Sequence, residues 1–184
     1  MRVPSSKPEH ILNALDCGAS GIVAPHIDCV EAAQSLAKKS QFGAGGRGYA
    51  GSTRAAHYTG KTIARHLQDS ANNTAVIAQI EDIEALECIE DIVAVDGIDC
   101  FFIGMIDLTV ALGADSPKDP VVIAAAESIC QAAQANGRRL GIFVTSQEDV
   151  EFWRARGVSL FLLGADHSFI LQGANALADK LKSE

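Results

Sequence analysis

The strongest constraint on the fold of this chain is a repeated alternation between short apolar runs and segments with helical periodicity. The runs are nearly all apolar, as the strands of a parallel sheet covered on both faces must be. They occupy residues 21–25, 74–80, 98–103, 140–144 and 159–163. This alternation predicts an α/β protein in which right-handed crossovers join parallel strands.

The segments between the runs carry signals for helix ends. Ser6-x-x-Glu9 and Asp28-x-x-Glu31 have the spacing of capping boxes, which predicts helix starts at Ser6 and Asp28. The glycines that precede an apolar run, where a helix is expected to end, are Gly18, Gly137 and Gly157.

The number of units leaves two architectures open. If Arg2-Val3 is the stub of a strand, the chain has six strand–helix units. Six units can form an open doubly wound sheet or three quarters of a (β/α)₈ barrel, which usually needs about 250 residues. The count alone does not decide between them. At 184 residues we expect a single domain, residues 1–184.

One connection, residues 41–73, is long and contains six glycines. Loops of this length are usually functional or mobile. We expect a short helix near residues 62–68 within it. The chain has no GxxxxGK[ST] motif, and no GxGxxG directly follows a strand, so the sequence does not favour nucleotide-binding folds.

Composition narrows the functional classes. The chain carries 15 Lys and Arg against 23 Asp and Glu, a formal net charge of -8. We therefore expect no nucleic-acid partner and no binding to anionic membrane surfaces. The apolar runs are well short of the roughly 18 residues that a membrane span needs. The five cysteines form no CxxC pair, which favours reduced thiols in a cytoplasmic protein.

The polar residues of interest are those that end the apolar runs, because parallel α/β proteins bind ligands at the carboxyl ends of their strands. The second run ends in Gln79-Ile80-Glu81, which places Gln79 and Glu81 on one face. The third run is followed by Gly104 and then Asp107. Two carboxylates at one edge suit a hard divalent cation such as Mg²⁺ or Mn²⁺. Alternatively, each carboxylate starts or caps a helix, and position alone does not separate the two interpretations.

The segment after Gly104 is a candidate carboxylate-binding site. Backbone N–H groups around Ile106 and Asp107 are expected to point outward at a helix start. Gly104 would let the chain pass close to a ligand, although a tight turn explains a glycine there equally well.

Several motifs, in this order, resemble one family. They are Arg2-Val3-Pro4, Gly21-Ile-Val-Ala-Pro25, Arg47-Gly48-Tyr49, Ile77-Ala-Gln-Ile-Glu81, Phe102-Ile-Gly104-x-x-Asp107-Leu108 and Gly164-x-Asp166. The chain is similar along essentially its whole length to the HpcH/HpaI aldolases, the class II pyruvate aldolases related to the citrate lyase β-subunit. The glutamate and glycine–aspartate motifs are specific when found together.

The resemblance implies roles for six residues. Glu81 and Asp107 match the metal ligands, and Gln79 matches a glutamine that contacts substrate beside the metal. The backbone at Gly104 and Ile106 matches the segment that receives the carboxylate of pyruvate. Arg2 matches a catalytic arginine that stabilises the enolate. The implied cofactor is a divalent cation (Mg²⁺, Mn²⁺ or Co²⁺), and family members are usually homo-oligomers.

The fold implied by the resemblance is a TIM-type (β/α)₈ barrel of the phosphoenolpyruvate/pyruvate-binding kind that lacks its first two strand–helix units. Those units carry a proton-transferring histidine in the family. His26, which follows the first apolar run, does not match that position. It could face the same edge of the sheet, but a surface histidine is the simpler expectation.

The implied activity is that of a carbon–carbon lyase. It would cleave a 4-hydroxy-2-oxo acid reversibly to pyruvate and an aldehyde through a metal-stabilised pyruvate enolate. The alternatives are a relative of the citrate and malyl-CoA lyases, or a non-catalytic barrel fragment that binds metal or a 2-oxo acid. Met105 and Ile106 depart from the family pattern, in which a proline and a small or polar residue are usual.

Overall fold

A computed structural model describes residues 1–182, and over that range the chain forms one sheet of five parallel strands in the order of the sequence. The strands are β1 (Gly21–Ala24), β2 (Ala75–Ile80), β3 (Cys100–Ile103), β4 (Arg139–Val144) and β5 (Val158–Leu163). Each coincides, within two residues at either end, with one of the predicted apolar runs. The predicted parallel α/β architecture is therefore confirmed.

The first residues of the chain pair with the edge of this sheet. Arg2 forms a parallel bridge with Val23. The N–H of Val3 donates to the Val23 carbonyl at 3.0 Å, and the N–H of Val23 donates to the Met1 carbonyl at 2.9 Å. The predicted strand stub at Arg2-Val3 is confirmed, and it lies beside β1.

The helices follow the strands as the periodicity predicts. They are α1 (Pro8–Asp16), α2 (Val30–Ser40), α3 (Ile63–Asn73), α4 (Ile83–Glu87), α5 (Ile89–Ala94), α6 (Met105–Ala111), α7 (Pro120–Ala135), α8 (Gln147–Arg154) and α9 (Asp166–Lys182). The three glycines expected at helix ends adopt positive φ values of 90°, 64° and 86°, which only a residue without a Cβ adopts freely.

The two predicted capping boxes are wrong. The first helix starts one residue late because Pro8 occupies its first turn, so Lys7 is the N-cap and makes no side-chain cap. The hydroxyl of Ser5 instead accepts from the N–H of Lys7 at 3.3 Å. At the second helix the N-cap is Cys29, in an extended conformation, and its side chain makes no capping bond either.

The two faces of the sheet differ in burial. The outer face is fully covered by helices, and Ile22, Ile80 and Phe101 are 0% exposed there. The inner face stays partly open: Phe143 and Leu162 are 39% and 50% exposed. Strands added in sequence order by right-handed crossovers place their helices on one face, as in a barrel wall. A doubly wound sheet reverses its strand order, and the described strands do not.

The long connection contains the predicted helix, which is longer than expected. It begins at Ile63 and runs to Asn73, and the hydroxyl of Thr62 caps it by accepting from the N–H of Arg65 at 3.3 Å. Before it, Phe42 and Arg47 form an isolated bridge, and Arg47 is only 6% exposed. Arg47 and Ala56 are therefore the buried residues of the described segment 41–62, most of which is exposed or half-buried.

Two further expectations concern the thiols and the membrane. All five cysteines are free, as the absence of paired spacing predicts. Across residues 1–182, no helix combines the length and the apolar character that a bilayer crossing requires.

Candidate active site

The candidate site lies where β2 and β3 end. The two strands run in register with Gln79 beside Phe102 and Ile80 beside Ile103, so the residues that follow, Glu81 and Gly104, are also neighbours. The alternation along β2 places Gln79 and Glu81 on one face, as predicted, and their side chains are hydrogen-bonded to each other. The structure thus brings these predicted residues to one edge of the sheet.

Glu81 is a buried carboxylate with both oxygens engaged. It is 1% exposed. The backbone N–H of His26 donates to Oε1 at 3.0 Å, and Nε2 of Gln79 donates to Oε2. Burial raises the pKa of Glu81, the His26 hydrogen bond opposes this shift, and the charge of Asp107 raises the pKa further. A carboxylate in this environment is stabilised by a cation at the same place.

Asp107 is the second carboxylate of the site. It is the third residue of α6, where an acidic residue is favoured by the helix dipole. Its side chain is exposed, and it lies near enough to Glu81 for its charge to raise the pKa of that buried carboxyl. Two carboxylates this close repel each other unless a proton or a cation lies between them.

This donor set fits a hard divalent cation. Carboxylate oxygens are the ligands that Mg²⁺ and Mn²⁺ prefer, and Mg²⁺ commonly takes one or two carboxylates from the protein. Over residues 1–182 no group of three or more His, Cys, Asp and Glu side chains is arranged to hold a metal. Glu81 and Asp107 would therefore leave most coordination positions to water and to oxygen atoms of a substrate.

Arg2 is linked to this pair through Gln79. Its Nε donates to Oε1 of Gln79 at 3.3 Å, and the amide nitrogen of the same Gln79 donates to Glu81. The orientation of the Gln79 amide is thereby fixed, with its oxygen toward the guanidinium and its nitrogen toward the carboxylate. A permanent positive charge stands next to the carboxylate pair as a result.

Gly104 passes close to the buried carboxylate. A Cβ atom at this position would lie 2.6 Å from Cβ of Glu81 and 2.8 Å from its Oε2. The N–H of Gly104 donates to the Ile80 carbonyl at 2.9 Å. A glycine is therefore required here because any side chain would collide with Glu81. Since the N–H of Gly104 is already bonded, backbone donors for a ligand would come from the residues after it. Ile106, one of those residues, is 59% exposed.

A groove of about 760 Å³ opens beside these residues. Its size is within the range of small-molecule sites. Gln79, Gly104, Ile106 and Asp107 line one side. Apolar and polar side chains from β4, α8 and the loop before α7 line the rest, including Phe143, Thr145, Phe152, Ser116 and Lys118. Four of the six predicted site residues thus line this cavity, and the other two, Glu81 and Arg2, are hydrogen-bonded to Gln79 in its wall.

The chain resembles known proteins along most of its length. Residues 1–172 match the sequence profile described as HpcH/HpaI aldolase/citrate lyase. The chain belongs to the HpcH/HpaI aldolase/citrate lyase family. A hydroxypyruvate/pyruvate aldolase from Paraburkholderia phytofirmans is 33% identical over 191 residues, which cover 100% of this chain and 72% of that protein.

Two more relatives of this HpcH/HpaI family member are informative. A 4-hydroxy-2-oxovalerate aldolase from Rhodococcus jostii is 30% identical over 97% of the chain and 69% of its own length. The crystal structure of an HpcH/HpaI aldolase/citrate lyase family protein from Burkholderia cenocepacia matches with a TM-score of 0.90 at 30% identity, over 98% of this chain and 72% of that one. The predicted resemblance is confirmed, and the fold is that of these aldolases.

Sequence reasoning missed some neighbours of the site in this HpcH/HpaI chain. Phe143 and Thr145 end β4, and the rule that identified Glu81 at the end of β2 could have found them too. Phe152 and Lys118 lie in a helix and a loop, and no pattern in the sequence indicates that they approach the same groove. Lys118 lies 3.3 Å from Asp149, so its charge is partly compensated.

His26 is closer to the site than the simplest expectation placed it. Its φ of 55° is unusual for a residue with a side chain and directs its N–H at Glu81. Its Nδ1 lies 3.1 Å from Oδ2 of Asp82. This hydrogen bond to Asp82 raises the pKa of His26, and burial opposes the shift. The side chain is 61% exposed, so the backbone of His26 contributes more to the site than its ring.

Proposed function

We propose that this protein is a divalent-metal-dependent aldolase that cleaves a 4-hydroxy-2-oxo acid reversibly to pyruvate and an aldehyde. The observation that carries the proposal is the pair of neighbouring carboxylates, Glu81 and Asp107, the first of which is joined to Arg2 through Gln79. The names of two relatives, a hydroxypyruvate/pyruvate aldolase and a 4-hydroxy-2-oxovalerate aldolase, support this substrate class.

Glu81 and Asp107 would hold the cation, which is Mg²⁺, Mn²⁺ or Co²⁺. When bound, the cation supplies Lewis acidity to the carboxylate and 2-oxo oxygens of the substrate. The hydrogen bonds from His26 and Gln79 fix the two oxygens of Glu81 in place. Such outer partners orient a ligand and raise its affinity for the metal.

Arg2 would stabilise the charge that develops during cleavage. Breaking the bond between C3 and C4 leaves its electron pair on the pyruvate part, and negative charge accumulates on the 2-oxo oxygen. The 4-hydroxyl group gives its proton to water and becomes the aldehyde carbonyl, and the enolate then takes a proton from water at C3 to give pyruvate. A guanidinium stays protonated at every physiological pH, so it presents a fixed donor to that oxygen. Gln79 holds Arg2 at the carboxylate pair through the 3.3 Å hydrogen bond.

The backbone after Gly104 would receive the carboxylate of pyruvate. The first N–H groups of a helix have no partner within the helix, and those of α6 lie beside Asp107. Ile106 stands at this position with 59% of its surface exposed. Its bulk, together with Phe143 and Phe152 across the groove, favours an aldehyde with an apolar part.

We also propose that two further strand–helix units complete the sheet to an eight-stranded barrel, whichever polypeptide carries them. The partly exposed apolar side chains on the inner face, Phe143, Leu160 and Leu162, support closure, because such a face is normally covered. The relatives named above are matched over about 70% of their length, which leaves room for such units.

Assembly into a homo-oligomer is part of the same proposal. None of the described residues of α9 is buried. Its exposed side chains include large apolar ones that are each at least 60% exposed, namely Phe169, Ile170, Leu171 and Leu177. An apolar surface of this extent usually marks a contact with protein. The free thiols support a cytoplasmic location.

Pyruvate release from 4-hydroxy-2-oxovalerate tests the proposed activity. The chain is first treated with a chelator, and then Mg²⁺, Mn²⁺ or Co²⁺ is added. We expect pyruvate to form only after the addition, and Glu81→Gln to abolish its formation. Asp82→Asn is the matched control, because this neighbouring carboxylate is 28% exposed and faces His26. Equal pyruvate release with and without metal, or in Glu81→Gln, would reject the proposal.

A further inference from the structure

A second cavity, of about 510 Å³, lies at the opposite ends of the strands from Glu81. Ser20, just before β1, and Thr74, just before β2, belong to its wall. The rest of the wall comes from the end of α1, from residues 47–61 and from α3. The proposed aldolase site uses none of these residues, so the cavity needs a separate explanation.

The wall of this cavity is positively charged. Within residues 1–182 its permanent cations are Arg47, Arg54 and Lys61, and its carboxylate is Asp69. Asp69 lies 2.9 Å from Lys61 and 2.8 Å from Arg65, so these two cations share one carboxylate, whereas Arg47 and Arg54 form no ion pair among the described residues. A local excess of positive charge in a chain of net charge -8 attracts anions to this place.

Arg47 is the buried member of the set. It is 6% exposed, its Nη2 donates to the Ser70 hydroxyl at 3.3 Å, and its guanidinium lies 3.9 Å from the centre of the Phe42 ring. Its Nε is buried and has no hydrogen-bond acceptor among the described residues. A buried guanidinium without an anion in hydrogen-bonding contact is unfavourable, which points to a missing partner.

His66 and Asp16 show the same deficiency. His66 is 2% exposed and lines the cavity, and its Nδ1 has no partner in the described part of the chain. Oδ1 of Asp16, which does not line the cavity, is also buried without a hydrogen bond, and the charge of Asp16 acts on Arg47 by opposing the lowering of its pKa by burial. Burial lowers the pKa of His66 and raises that of Asp16, so both groups are pushed toward their neutral forms. Two unsatisfied nitrogen atoms, Nε of Arg47 and Nδ1 of His66, thus belong to residues of the cavity wall.

Arg54 provides a second free guanidinium. Its side chain has no hydrogen bond or ion pair among the described residues. Its aliphatic part packs beside Gly18, and its Cγ lies 3.6 Å from the position that a Cβ on that glycine would occupy. The hydroxyl groups of Ser70 and Thr74 add neutral donors to the wall. Several cationic donors around one space match a tetrahedral, multiply charged oxyanion better than a flat carboxylate.

We propose that this cavity binds a phosphate group, either as inorganic phosphate or as part of a small phosphomonoester, through Arg47, Arg54 and Lys61. Its position at the amino ends of the strands separates it from the aldolase chemistry. Binding would link α1, residues 47–61 and α3, and so stabilise this corner of the protein by mass action.

Isothermal titration of the full chain at constant ionic strength tests the proposal. The probes are inorganic phosphate and ribose 5-phosphate, with sodium chloride as the reference for unspecific ion effects. A chelator is present throughout, so that phosphate cannot bind through a metal at Glu81. We expect saturable binding of at least one probe with a stoichiometry near one. Equal affinity for the two probes would assign the site to free phosphate, and roughly tenfold tighter binding of ribose 5-phosphate would assign it to a phosphomonoester.

Variants locate the binding. Arg54→Gln and Lys61→Gln should each weaken it roughly tenfold, as the loss of one charge-assisted hydrogen bond does. Lys7→Gln, a cation removed from an exposed position outside this cavity, should leave it unchanged. Arg47→Gln should abolish it, but this change at a buried residue can also unfold the chain, so the exposed Arg54 and the half-buried Lys61 decide.

The result that would overturn the proposal is heat no greater than that of sodium chloride for both probes. Wild-type affinity in both Arg54→Gln and Lys61→Gln would overturn it equally. Pyruvate release by Arg54→Gln should equal that of the wild type, so a failure of this proposal leaves the aldolase proposal intact.

Discussion

Gly104 stands so close to Glu81 that a Cβ atom on the glycine would lie 2.6 Å from Cβ of the glutamate. The two residues follow neighbouring parallel strands whose register places them side by side. The close approach brings the start of α6, and with it Asp107, to the buried carboxylate. The glycine therefore sets the geometry of the candidate metal site, although it contributes no side chain to it.

Gly104→Ala should damage this site more than the overall fold. We expect a loss of about 1–3 kcal/mol of stability, because the backbone or Glu81 must shift to admit a methyl group. Affinity for Mn²⁺, measured by calorimetry, should fall as well, because the shift displaces Glu81 relative to Asp107. Gly173→Ala is the control, since a Cβ there meets no atom within 4 Å. Unchanged Mn²⁺ affinity in Gly104→Ala would contradict the proposed geometry.

Arg2→Ala should lower kcat for pyruvate release roughly 100-fold or more, as the removal of one preorganised donor to a developing oxyanion does. Arg2→Lys should recover only part of the loss. The planar guanidinium of arginine can donate to Gln79 and to the substrate at the same time, whereas the ammonium group of lysine has no such fixed arrangement of donors. Metal affinity should change little, since Arg2 is not a ligand. A loss of metal binding that accounts for the whole fall in kcat would show instead that Arg2 serves to hold Gln79 and Glu81.

Gln79→Ala should remove the link between Arg2 and Glu81. Without the amide, one oxygen of Glu81 loses its donor and Arg2 loses its acceptor. Metal affinity should then fall about 10–100-fold, the usual effect of removing an outer partner of a ligand. Gln79→Glu should not restore it, because a third carboxylate cannot donate to Glu81. Equal metal affinity in Gln79→Ala and wild type would reject the role of this hydrogen bond.

The buried thiols predict a decrease of stability in alkali. Burial raises the pKa of Cys100 and of Cys130 from 9.0 to about 11. The folded chain therefore holds these protons more tightly than the unfolded chain, and stability falls as pH rises from about 9 to 11. Each thiol should account for on the order of 2 kcal/mol of that fall. Urea unfolding at several pH values measures it, and Cys130→Ala should flatten the slope, whereas Cys17→Ser, at an exposed position, should not.

The sequence predicted the strands well because a parallel sheet covered by helices leaves a strong signal. Runs such as residues 74–80 and 98–103 contain almost no polar residue, and they coincide with β2 and β3. The proximity of Glu81 and Asp107 followed from the same reasoning, since adjacent parallel strands end at one edge. The strand order was not predictable from the count of units, because both candidate architectures use the same local elements.

Other features depend on contacts that no local pattern encodes. The first capping box failed because Pro8 occupies the start of the helix and makes Lys7 the N-cap, and the second failed because Cys29, and not Asp28, is the N-cap. The N–H of His26 reaches Glu81 only because the chain adopts a φ of 55° after β1. The cavity at Arg47 is formed by residues 47–61, whose glycine-rich sequence predicted a loop and nothing about burial.

The most direct test of the central claim is the exchange of the methyl protons of pyruvate with deuterated water, followed by mass spectrometry on the purified chain. Exchange requires the pyruvate enolate and no aldehyde, so it isolates the chemistry assigned to Glu81, Asp107 and Arg2. We expect exchange above background with Mg²⁺, Mn²⁺ or Co²⁺, its loss in a chelator and in Glu81→Gln, and its retention in Asp82→Asn. Exchange at the background rate with all three ions would contradict the catalytic account and leave a chain that binds metal or a 2-oxo acid without turnover.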